Sequence, residues 1–240
     1  LLFFIYYFSG YNSSVNIEIY KVLEYIDENG EEQSLNFECS TPHVLISGDK
    51  IEDILALEKK MLKNLSESNG KDINLVVVDD KSVLPEDFFD NLEFNYISRI
   101  TEEEAINKLD GSPTYTFSER YMLILKNDEK NFTQLNESGK EHLKMLVYFF
   151  PSMSENKKLH EVLGKSSSSI QVGVHFIVGI KFIVENPLLL EGCETRFAFP
   201  SRDIVQDLRF FRKHLSDLPL SGELWFKFGL TGKIKPIKLK

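Results

Sequence analysis

Asp79 and Asp80 follow directly on the apolar run Leu75-Val76-Val77-Val78. Paired carboxylates at the carboxyl end of a buried strand can hold Mg²⁺ for phosphoryl chemistry, and Glu86 and Asp87 lie close by in sequence. The same residues also suit the turn that ends a strand. They are weak metal candidates, and no stronger metal motif accompanies them. Neither H-E-x-x-H nor a comparable His pair occurs, and two cysteines, Cys39 and Cys193, leave no room for a Cys-rich zinc site.

Two stretches invite comparison with phosphate-binding loops. Gly164-Lys165-Ser166-Ser167 ends like a P-loop, but the glycine needed five residues earlier is Leu159, and 156–163 reads as helix where a strand is required. Ser47-Gly48-Asp49-Lys50 precedes the first long helix, so a helix N-terminus there could meet an anion; it also reads as an ordinary cap. The histidines are His43, His142, His160, His175 and His214. His175 could line a pocket or sit half-buried with a hydrogen bond. With no G-x-S-x-G elbow and no recognisable Cys nucleophile, common hydrolase, kinase and dehydrogenase chemistry loses ground, and no cofactor is expected.

Charge supplies a different kind of site. Residues 195–240 carry ten Lys/Arg against four Asp/Glu, while 1–194 sum to −15. A basic end on an acidic body suggests a surface that meets something negative. Arg202, Arg209, Arg212 and Lys213 lie away from the apolar stripe of a predicted helix, and Lys233, Lys235 and Lys238 lie on a predicted last strand. These seven are the candidate partner-binding residues. An acidic protein, another subunit or a nucleic-acid backbone would satisfy them, with Trp225, Phe226 and Phe228 between the charges. Lys and Pro on an edge strand also protect it from unwanted pairing.

The elements that would position these residues follow from periodicity. Residues 15–26 and 35–39 flank the turn signal Asp27-Glu28-Asn29-Gly30 and predict a hairpin. Leu1–Phe8 reads as a further strand or as the remnant of a signal peptide. His43–Ser47, a helix capped by Asp49 with Glu52, and Ile73–Val78 predict a strand-helix-strand unit. A short helix is expected at Pro85–Leu92, a strand at Phe94–Ile100, and a capping box at Thr101 and Glu104. Tyr115–Lys126 reads as strand, and Glu137–Phe149 and Asn156–Leu163 as helices. Strict alternation over 170–184 predicts one long strand. Thr195–Phe199 follows as a short strand, then a helix opened by Pro200-Ser201. A hairpin of Glu223–Phe228 and Lys233–Lys240 closes the chain, with Pro236 placing its last strand at a sheet edge.

The fold class is therefore α/β or α+β: a mixed sheet with packed helices, an N-terminal hairpin, one strand-helix-strand unit and a β-rich C-terminal part. The expected division is an α/β body at 1–164 and a β-rich part at 165–240 packed on the same core. The function expected is a non-catalytic binding or assembly module that contacts an acidic partner through its basic C-terminal surface. One alternative is a metal-dependent phosphoesterase or nuclease using Asp79 and Asp80. Another is a secreted glycoprotein bearing sugars at Asn12, Asn64, Asn131 or Asn136. Few cysteines favour a reducing intracellular setting, and no apolar stretch is long enough to span a membrane.

Overall fold

The computed structural model describes residues 20–80, 82–110, 117–153, 155–181, 187–201, 203–214, 218–219, 222–229 and 231–240. Leu1–Phe8 and Arg202 lie outside them. Ten strands form one mixed sheet in the order β2-β1-β10-β9-β8-β3-β7-β6-β4-β5. They are β1 (Tyr20–Ile26), β2 (Glu32–Phe37), β3 (Val44–Ser47), β4 (Ile73–Val78), β5 (Tyr96–Ile100), β6 (Met145–Phe150), β7 (Val174–Ile180), β8 (Thr195–Ala198), β9 (Leu224–Lys227) and β10 (Lys235–Leu239). From β8 through β5 every neighbouring pair is parallel. From β8 outward through β9, β10, β1 and β2 every pair is antiparallel.

The parallel half explains the apolar runs. A strand covered by helices on both faces has no polar face, and β3, β7 and β8 are buried at every residue. The helices are α1 (Ile51–Asn69), α2 (Glu102–Leu109), α3 (Ser118–Lys126), α4 (Phe132–Ser138), α5 (Lys157–Lys165), α6 (Pro187–Gly192) and α7 (Ile204–Phe211). α1 buries Ile54, Leu57, Glu58, Met61, Leu62 and Leu65, one stripe at helical spacing. α2 starts with the expected capping box, Thr101 and Glu104 each satisfying the other's backbone. The hairpins β1–β2 and β9–β10 also form as expected. The chain leaves β3 towards β4, returns through β6 and β7, then crosses β3 to reach β8. β3 is thus where the direction of winding reverses, the place where such sheets bind ligands.

Several expectations are corrected. Helix α1 has Lys50 at its N-cap position with no side-chain cap, so Asp49 does not cap it. Pro85–Leu92 forms turns: its backbone bonds are three-residue steps, Phe88 N–H to Pro85 O, Asp90 N–H to Asp87 O and Leu92 N–H to Phe89 O. The predicted strand at Tyr115–Lys126, whose first two residues lie outside the described residues, is α3 from Ser118 on, and the predicted helix at Glu137–Phe149 takes in the end of α4, Gly139 at φ 67° and strand β6. Short apolar runs do not distinguish the two periods, and packing decided both. The alternation at 170–184, whose residues 182–184 lie outside the described residues, spans two structures over 170–181. A 3-10 helix at Ser167–Val172 stops at Gly173 (φ 72°), and β7 begins one residue later. A Cβ at Gly173 would also stand 2.4 Å from the Phe132 ring. Pro236 lies inside the sheet, because β10 pairs with β9 on one side and reaches β1 through Tyr25 and Ile26 on the other.

Candidate functional site

The winding reversal at β3 directs attention to the turn between β3 and α1. Gly48, Asp49 and Lys50 span it. Ser47 is buried, and its carbonyl accepts the Phe199 N–H at 2.9 Å just beyond β8. A Cβ at Gly48 would stand 3.3 Å from two Phe199 atoms and 3.5 Å from Ile54 Cγ1. The turn is therefore packed against an aromatic ring and an aliphatic side chain.

Its charge is negative. Asp49, Glu52 and Asp53 occupy the turn and the first turn of α1. Across it, Asp207 of α7 is almost wholly buried and accepts the Ser201 N–H. Burial pushes the Asp207 carboxyl up, the Ser201 bonds oppose this, and Asp49 and Asp203 add like charge. Beneath lies Glu58, fully buried, with neither carboxyl oxygen hydrogen-bonded among the described residues. Burial alone raises its carboxyl well above the usual range, which favours the protonated form. It packs against Gly179 of β7, where a Cβ would meet Glu58 Oε1 at 2.4 Å, Ile54 Cγ2 at 2.8 Å and Pro151 O at 3.0 Å.

The other candidates are dispersed. Asp79 accepts from the Val83 and Leu84 amides, and Asp80 accepts from Glu102 N–H at 2.8 Å at the start of α2. Both hold loops. β4 is three strands from β3, about 14 Å at ordinary spacing, so these acids do not serve the β3–α1 turn. Among the described residues no His/Cys/Asp/Glu cluster could hold a metal. His43 is buried and locked, Nδ1 accepting from Phe176 N–H and Nε2 donating to Ser166 O; burial lowers it to about 4. His175 is fully buried, not half-buried and bonded. It stacks 4.2 Å from Phe37, neither ring nitrogen has a partner among the described residues, and burial, then His43 and Arg120, push its pKa well down.

Gly164 is a packing residue: a Cβ there would meet the Leu188 carbonyl at 2.4 Å. Of the basic residues, Arg209, Lys233 and Lys238 are exposed, and Lys213 is half-buried. Arg212 pairs with Glu191 at 3.1 Å and Lys235 with Glu28 at 3.2 Å. The buried cations are ones sequence reasoning did not single out. Arg196 donates to the carbonyls of Cys193, Phe210 and Leu190, pinning the ends of α6 and α7 to β8. Lys227 lies opposite it across the β8–β9 ladder and donates to Gly229 O; burial, then Arg196, lowers it to about 8.

No family model matches the sequence, and no curated protein sequence matches it. Solved structures do resemble the fold. EssC (ATPases 2 and 3) from Geobacillus thermodenitrificans superposes with a TM-score of 0.67 at 12% identity, over 95% of this chain and 46% of that one. The cytoplasmic domain of the type VII secretion ATPase EccC from Thermomonospora curvata gives 0.66 at 17%, over 92% and 28%. The pCW3 conjugation coupling protein TcpA with ATPγS gives 0.69 at 17%, over 93% and 66%. The chain has the fold of these ATPase domains. It spans between about a quarter and two thirds of their length.

This fold overturns the expectation of a binding or assembly module that contacts an acidic partner through its basic C-terminal surface. It equally overturns the phosphoesterase or nuclease built on Asp79 and Asp80, and the secreted glycoprotein. Nor is any helix among the described residues long and apolar enough to cross a membrane.

An ATPase fold implies ATP and Mg²⁺, and the residues present do not fit them. A triphosphate loop of the form G-x-x-x-x-G-K-[ST] wraps phosphates with the amides of eight residues, and an Asp beside it holds the metal. Here three residues join β3 to α1, packed on Phe199. β6 runs out into Pro151-Ser152, β7 into Lys181 and β8 into Phe199, none of them a carboxylate. The charge of Asp49, Glu52 and Asp53 would repel phosphate.

Proposed function

We propose that the chain is an ATPase-fold domain of a larger nucleotide-driven machine of the secretion or conjugation type, one whose own strand-helix turn has lost the phosphate cradle. The observation that carries this reading is the three-residue β3–α1 turn, filled by Phe199 and Ile54 at the reversal point of an ATPase-like sheet. The likeness to EssC, EccC and TcpA supports the class of machine, and the short share of their length supports a role beside further domains. An intracellular location and protein partners fit the same reading; T. curvata EccC is known in complex with a signal sequence peptide.

The test is calorimetric titration with ATP and Mg²⁺, with phosphate release measured in parallel. Binding weaker than about 1 mM and release at the background rate are expected. Turnover that disappears in Lys50→Ala would overturn the reading, because it would show that the turn still engages phosphate.

A further inference from the structure

The same edge of the sheet opens into a groove where the parallel half meets the antiparallel extension. It has a volume of about 770 Å³, within the range of ligand-binding clefts. Its apolar lining comes from Phe199 after β8, Leu224 of β9, and Ile237 and Leu239 of β10. Leu224 and Ile237 stand opposite each other in the β9–β10 ladder and, both almost wholly buried, form the floor of the groove. Leu239 is exposed, and Phe199 is half-buried.

The rim is acidic. Asp27, Glu28 and Glu223 line the groove against one base, Lys238. Asp27 is fixed by accepting the Asn29 and Glu31 amides, and those bonds, Glu31's first, hold its carboxyl below the usual range. Glu28 is partly neutralised by Lys235 at 3.2 Å. Glu31 continues the negative tip of the hairpin, while Glu32 pairs with Lys240 at 2.7 Å. At Gly222, also lining the groove, a Cβ would stand 3.4 Å from Trp225 Nε1, a buried donor without an acceptor among the described residues.

We infer that this groove is a docking site for an extended peptide segment of a protein partner, one that places a branched apolar side chain on the Leu224–Ile237 floor and a Lys or Arg at the Asp27–Glu223 rim. Charge complementarity selects this occupant. Apolar walls reward a buried aliphatic group, and rim carboxylates favour a basic neighbour and disfavour an acidic one. The groove carries the opposite sign to the basic surface that the sequence suggests. The inference also stands apart from the nucleotide question, since no groove residue belongs to the β3–α1 turn.

The experiment is fluorescence anisotropy with three fluorescein-labelled octapeptides on the intact chain. The first is Gly-Ser-Leu-Ile-Lys-Arg-Ser-Gly, the second carries Glu-Glu for Lys-Arg, and the third carries Ser-Ser for Leu-Ile. The first is expected to bind at about 10–100 µM and each of the others at least roughly tenfold more weakly. Glu223→Lys, at an exposed position that leaves the fold intact, is expected to weaken the first peptide by about tenfold and to restore binding of the second. Equal binding of the first two peptides, or no binding of the first below about 1 mM, overturns the proposal. So does a concentration-dependent dimer in light scattering that Glu223→Lys abolishes, since the groove would then hold a second copy. None of these outcomes alters the ATP titration.

Discussion

The β3–α1 turn and the groove beside β9 and β10 share one sheet edge and one residue, Phe199, yet they are built oppositely. The turn is closed: a side chain at its glycine would meet Phe199 and Ile54, its acids outnumber Lys50, and Glu58 packs against Gly179 nearby. The groove is open, with apolar walls and a charged rim. The parallel half therefore shares the fold of the ATPase domains it resembles, with Phe199 and Ile54 packed on its β3–α1 turn. The antiparallel extension retains room. The consequence should be measurable as a difference in tolerance: the parallel half is expected to respond steeply to small changes, and the extension hardly at all.

Acid should give the largest effect. His43 and His175 are buried and neutral in the parallel half, and both have pKa values below the ordinary histidine value. Between about pH 6.5 and pH 4 the unfolded chain binds protons that the folded chain refuses, so stability rises with pH across this window and is lost as pH falls. His43, lowered to about 4, alone should remove about 3 kcal/mol by pH 4. Urea unfolding at pH 7.5, 6, 5 and 4 measures this. In His175→Phe the acid loss should shrink while stability at pH 7.5 stays close to that of the parent; an unchanged pH profile would refute the assignment.

Next in size comes the Glu58–Gly179 contact. In Gly179→Ala the added methyl would meet Glu58 Oε1 at 2.4 Å and Ile54 at 2.8 Å. Overpacking of this kind costs about 1–3 kcal/mol, read as a fall in Tm. Glu58→Leu removes the unpartnered carboxyl from the same contact and should stabilise by about 1 kcal/mol or more. The two changes combined should be less than additive, since the flexible acid is what the methyl strikes. Because Glu58's folded pKa is raised, its contribution is complete below its unfolded value near 4.5 and fades as pH rises towards the folded value. Glu58→Leu should therefore gain most at alkaline pH.

Much of this was legible in sequence, and the pattern of success is physical. The Thr101–Glu104 capping box, both hairpins and the β3-α1-β4 order rest on neighbours in the chain, and all of them formed. What failed was burial on two faces. In β6, Met145–Phe150, no polar face exists to betray the period, so it read as helix. At 170–184 alternation ran unbroken across Gly173 although the chain changes structure there. The β3–α1 turn was visible as a possible anion site, but its importance depends on β3 lying between β7 and β8. Those residues are more than 120 positions away, and strand order leaves no local trace. The groove was less accessible still, because its walls come from β9, β10, the β1–β2 turn and Phe199, each unremarkable alone.

The smallest effect tests the other side of the comparison. Lys235 and Glu28 pair across the groove rim with about two fifths of each side chain exposed. Exposed pairs contribute between nothing and about 1 kcal/mol because water screens them and ordering two long side chains costs entropy. Glu28→Gln should therefore shift urea stability by less than about 0.5 kcal/mol, within the scatter of surface substitutions, and added salt should reduce even that. A loss as large as that of Gly179→Ala would mean that the extension is packed as tightly as the parallel half. The groove would then be a seam of the core with no room to adapt to a partner.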